Sequence, residues 1–139
     1  HLTSVRLDEH AWPVSGYIQR HAEQGDDRSH GFFYKATSQD AGIVGLPTIT
    51  FQPLGDARSS SVLYLRNRNL RLGRMGSLDS QAHPGTDDHC KASCVDWYGN
   101  ARPIFIGRRV FALLGYELVE GRMDGDHIVE RRRADFRPR

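Results

Sequence analysis

The sequence predicts an all-β fold, an antiparallel meander of short strands with β-propeller-like blades, and a small β-sandwich or barrel as the alternative. Three observations carry this. Fourteen Gly and six Pro in 139 residues mark a turn-rich chain. Turn signals punctuate apolar runs at intervals of about ten residues. No stretch shows the 3.6-residue apolar period of an amphipathic helix longer than two turns.

The elements follow in order. Residues 1–30 form an N-terminal segment whose domain membership the sequence leaves open, and residues 31–139 form the β unit. Trp12 to Ile18 reads as a short extended piece and Ile18 to Gln24 as a helical turn. Gly25 to Gly31 is a loop, because small polar side chains bond their own backbone. Phe32 to Lys35 is a strand of aromatics suited to a pleated surface. Gly42 to Leu46 is a second run that Pro47 should end, with a further short strand over Thr48 to Gln52.

Ser61–Arg66 and Leu70–Met75 flank Asn67-Arg68-Asn69 and read as a hairpin, since Asn tolerates the left-handed conformation of a tight loop. A long loop from Ser77 to Asp96 carries both cysteines; loops of this length are usually functional or stapled. Strands are then expected over Pro103–Ile106, Val110–Leu114, Tyr116–Glu120 and Ile128–Arg132. Gly115 should mark a bulge or bend. Ile104, Phe105, Val110, Phe111, Leu113, Leu118 and Val119 are the expected buried set.

Charge excludes little. Nineteen basic and seventeen acidic residues give a net charge of +2, with no strong overall field. The basic residues are nonetheless clustered: Arg131, Arg132, Arg133, Arg137 and Arg139 crowd one end, and Arg66, Arg68, Arg71 and Arg74 surround one turn. If the clusters share a face, they suit an acidic partner or nucleic acid; solvated strand faces are the simpler reading. No segment has the length of a membrane span or the pattern of a signal peptide. A first residue of His1 rather than Met implies that the chain was processed or cut from a longer one.

The phrases GFFYK and DAGIVGLP (Gly31 to Pro47), SVLYLRN (Ser61 to Asn67) and CVDWYGNARPIFIGRRVFALLGYELVEG (Cys94 to Gly121) resemble the C-terminal blades of secreted bacterial β-propeller-domain proteins, over roughly residues 31–136. That resemblance implies a secreted or periplasmic, non-enzymatic binding or scaffolding role. A blade is about four strands and a ring needs several blades. The strands here make two or three, so another chain or the rest of a parent protein must complete them. Arg131, Arg132 and Arg133 are the candidate interaction surface.

In a secreted protein the simplest state of Cys90 and Cys94 is a disulfide across a small loop, contributing on the order of 2 kcal/mol. Free thiols, or a metal shared with His83 and His89, are the alternatives. An N-terminal His1 raises a copper-binding oxidative enzyme, with a histidine brace completed by His10, His21, His30, His83, His89 or His127. Otherwise no cofactor is expected. The acidic loops at Asp26-Asp27 and Asp87-Asp88 lack the spacing of a calcium-binding EF-hand. Asp96, Trp97 and Tyr98 suit a capped turn and core aromatics, and no nucleophile, base and orienter can be assembled.

Overall fold

The computed structural model describes residues 1–25, 32–51, 58–81 and 101–136. Among them there is no helix, and eleven strands form three antiparallel sheets. A hairpin joins β1 (Leu2–Leu7) to β2 (Ala11–Tyr17). A second sheet is the meander β4 (Phe33–Ala36), β5 (Ala41–Phe51), β6 (Arg58–Arg68) and β7 (Arg71–Asp79). The short β3 (Ala22–Gln24) shares the outer edge of β5 with β4. The third sheet is another four-stranded meander, β8 (Ala101–Ile106), β9 (Arg109–Leu114), β10 (Glu117–Asp124) and β11 (His127–Asp135).

The all-β class and the meander order agree with the sequence; several local details differ, each for a physical reason. Ile18 to Gln24 is not helical. A single helical turn gains too few hydrogen bonds to sustain itself, whereas Ala22–Gln24 pair with Thr48–Thr50. Pro47 does not end a strand but lies inside the eleven-residue β5. Its carbonyl accepts from the Gly25 amide at 2.9 Å, away from β6. A strand residue's nitrogen points to the same side as its carbonyl, so the missing N–H costs the β5–β6 ladder nothing.

Gly115 opens a two-residue turn between Leu114 and Glu117 at φ 61°, rather than a bulge. Asn69 and Leu70 both take left-handed φ, 50° and 64°, and close the β6–β7 hairpin in two residues. Cys90, Cys94, Asp96, Trp97 and Tyr98 lie outside the described residues, as do His30, His83, His89, Asp26-Asp27, Asp87-Asp88, Arg137 and Arg139.

Period-two alternation places the core on both faces of β6. Val62 and Tyr64 join Ile43, Met75 and Leu78 against Ala101, Val110, Ala112, Leu114, Val119 and Ile128 of the third sheet. Leu63 and Leu65 turn the other way, with Val44 and Leu46, and receive Leu2 and Tyr17 from the hairpin. Burial on both faces explains why this strand reads as an uninterrupted apolar run. Two glycines permit close packing in the core. A Cβ on Gly45 would lie 2.4 Å from the Pro103 Cβ of the third sheet, and one on Gly121 would lie 2.7 Å from the Ile128 Cδ1 of its own sheet and 3.1 Å from the Leu78 Cδ1 of the second. Of the expected buried set, Val110, Phe111 and Val119 are buried; Ile104, Phe105, Leu113 and Leu118 are half-buried.

The three sheets repeat one geometry. In each of the hairpins β1–β2, β6–β7 and β10–β11 the register shifts once, after Ser4, Tyr64 and Glu120. The shift leaves one unpaired residue on the return strand: Val14, Met75 and Arg131. Two residues before the shift the paired positions are Leu2 and Tyr17, Val62 and Leu78, and Leu118 and Ala134. The return strands are also stacked, β2 beside β7 and β7 beside β11.

Candidate interaction face

Alternation on the third sheet sends Val110, Ala112, Leu114 and Val119 into the shared core and leaves Ile104, Ile106, Arg109, Phe111, Leu113, Leu118 and Glu120 on the opposite face. Glu120 stands at its centre. Arg109 Nε donates to its Oε1 at 2.8 Å, Arg131 Nη1 lies 3.5 Å from the same oxygen, and Arg132 Nε lies 2.9 Å from Oε2. The carboxylate is only 2% exposed, whereas the three arginines are more than half exposed. It is therefore screened by guanidinium groups rather than by sheet atoms.

The Arg109 hydrogen bond holds the Glu120 carboxyl below the usual carboxylate range, against the opposing effect of burial, and the charges of Arg132 and Arg131 add to it. Arg109 also lies over the Phe111 ring at 4.7 Å, which shields an otherwise outward-facing aromatic. Three arginines about one carboxylate leave this patch with an excess of two positive charges.

The arginine run of the sequence is split by this geometry. Arg131 and Arg132 belong to the outer face. Arg133, paired with Val119, turns instead into the seam between β11 and β7. There its Nη1 donates to Glu117 Oε1 at 2.9 Å and its Nη2 to the Asp79 carbonyl at 2.8 Å and to Glu130 Oε2 at 2.7 Å. The other Glu117 oxygen accepts from Ser80 Oγ at 2.5 Å and from the Gln81 amide at 2.9 Å. Burial alone would raise the Glu117 carboxyl, but these donors outweigh it and the net shift is downward. Arg133 is thus a structural clamp, and its burial is offset by the same partners.

The second arginine cluster is divided too. Arg66 and Arg68 both reach Asp126 in the β10–β11 turn, and register places Arg74 on the other face of β7, beside Leu65. At the other end of the molecule His1 lines a cavity of about 100 Å³ with Leu2, Tyr17, Gln19, Glu23 and Thr48. Among the described residues no three His, Cys, Asp or Glu side chains form a metal-ligating group, and no helix is long and apolar enough to cross a membrane.

Sequence reasoning missed Glu120 and Arg109. The available signal was the pairing of Phe111 with Glu120 across a strand of alternating polarity, but it needs the register to be known. Compared with known proteins, the chain matches no family model, no curated protein and no solved structure.

Proposed function

We propose that this chain is a non-catalytic binding and scaffolding segment of a secreted or periplasmic β-propeller-like protein, completed by another polypeptide or by the rest of its parent. One observation carries the reading: the same bulged hairpin recurs in three stacked layers, with the return strands β2, β7 and β11 side by side. Propeller blades stack this way, each a four-stranded meander packed face to face with the next. The second and third layers have that meander, whereas β1 pairs only with β2 among the described residues. An unpaired strand edge is a template for strand addition, so β1 is where the missing strands of the first layer would attach. The secreted setting, and with it a Cys90–Cys94 disulfide, rests on the sequence resemblance.

Native mass spectrometry of the protein from its source, beside the denatured intact mass, tests this. A companion chain released only on denaturation supports it. A lone folded species of 15.7 kDa contradicts it.

A further inference from the structure

On β6 the residues that face the third sheet include Val62 and Tyr64, and the same alternation carries that row on to Arg66 and Arg68. The apolar interface between the second and third layers therefore ends in two guanidinium groups. From the third layer, Gly125 and Asp126 form the two-residue turn between β10 and β11, with Gly125 at φ 58°. This turn sets the Asp126 carboxylate against both arginines. Arg66 Nη1 and Arg68 Nη2 converge on one oxygen, Asp126 Oδ1, the second of them at 3.4 Å. Among the described residues the two side chains have no other acceptor, so most of their N–H donors are unused.

The same three charged side chains line a cavity of about 170 Å³, and Ile43, Met75 and Met123 give it an apolar wall. Met75 reaches the wall as the unpaired bulge residue of β7, which re-aims its side chain. Both methionines of the sequence thus line one cavity, and their flexible thioethers adapt to irregular contents. The space far exceeds that of a single water, for which roughly 10–15 Å³ suffices, and a cavity of about 150 Å³ holds benzene.

We propose that this cavity binds a small aliphatic monocarboxylate of about six carbons. Its carboxylate lies across Arg66 and Arg68, and its hydrocarbon rests on Ile43, Met75 and Met123. Charge selects the headgroup. Arg66, Arg68 and Asp126 leave one net positive charge in the cavity, which one carboxylate neutralises, and the guanidinium fork matches carboxylate geometry. The apolar wall selects the tail, because a bare inorganic anion would gain nothing from it. The site is made wholly by the second and third layers, so it goes beyond the scaffolding reading and does not depend on what completes the first layer.

The test follows the methionine methyl resonances of the full-length protein carrying isotopically labelled methionine, assigned with Met75→Leu and Met123→Leu. Hexanoate is the probe. Hexylamine, of similar hydrocarbon length and opposite charge, and inorganic phosphate, with no hydrocarbon, are the comparators. Hexanoate should shift both the Met75 and Met123 methyl resonances saturably, and neither comparator should. Arg68→Gln, at a side chain 64% exposed, should weaken hexanoate binding about fivefold, and Asp126→Asn should tighten it by about as much, since each changes one exposed charge in opposite directions. A gain in Asp126→Asn cannot arise from misfolding, which keeps the test valid if Arg68→Gln folds poorly. No shift with hexanoate, equal shifts with hexylamine, saturable shifts with phosphate alone, or an affinity unchanged in both charge variants would overturn the inference.

Discussion

The Tyr64 hydroxyl donates to the Phe111 carbonyl at 2.7 Å, tying β6 to β9 across 47 positions of sequence. Burial pushes the phenol up, so it stays neutral and keeps its proton for this bond at any ordinary pH. The ring meets Phe105 edge-on at 6.2 Å, adding an aromatic contact across the same interface.

Tyr64→Phe keeps the ring and removes the donor, leaving the Phe111 carbonyl short of a partner in a dry interface. A loss of about 1–2 kcal/mol in unfolding free energy is expected, measured by urea denaturation. The β-sheet circular dichroism of the folded state should not change. A variant as stable as the parent would show that the bond contributes nothing net.

Glu117 sets an acid limit. Its folded carboxyl titrates below the ordinary carboxylate range, so the unfolded chain takes up a proton first as pH falls. Its contribution is fully present above about pH 4.5 and is lost as pH drops through the lower folded value. Glu117→Gln should flatten this part of the stability–pH profile. Glu117→Ala should also remove one charged acceptor of Arg133 while Glu130 and the Asp79 carbonyl remain, at about 1.5–3 kcal/mol. Denaturation midpoints between pH 7 and pH 3 read both effects.

Adding one methyl group at a glycine contact should overpack the core, within the third sheet and against the second. In Gly121→Ala the new Cβ would meet Ile128 Cδ1 at 2.7 Å and Leu78 Cδ1 at 3.1 Å. Overpacking of about 1–3 kcal/mol is expected, with a lower thermal midpoint. Gly107→Ala is the control for a glycine with open space but left-handed φ, and it should report backbone strain alone, at about 1 kcal/mol.

Leu70 carries the opposite sign. At φ 64° an L-residue with a branched side chain is strained. Leu70→Gly should stabilise the β6–β7 turn by about 1 kcal/mol, less whatever its half-buried side chain contributes. The backbone carbonyl that accepts from Ser4 and Ser15 is kept. A higher melting temperature checks this.

Much of the fold was legible in the sequence because alternation and turn chemistry are local. Asn67-Arg68-Asn69 announced a hairpin, with the turn itself two residues further on, at Asn69 and Leu70. What was not legible depended on partners distant in sequence. Pro47 looked like a strand end because its tolerance depends on which side β6 lies. Leu2 gave no signal because it packs against Leu63 and Leu65, some sixty positions away. The candidate face was visible only in part. The arginine run promised one surface, yet strand alternation sends Arg132 and Arg133 to opposite sides of the sheet, and the bulge keeps Arg131 on the side of Arg132, which no composition reveals.

The stacking of three equivalent layers is tested most directly by nuclear Overhauser contacts in isotopically labelled protein. Contacts are expected from the Tyr17 ring to the methyl groups of Leu63 and Leu65, alongside contacts from the Tyr64 ring to Val110 and Ala112. Contacts of Tyr64 with the third sheet but none between Tyr17 and β6 would contradict it: the β1–β2 hairpin would then not be a layer, and Glu120 would no longer be the third member of a series.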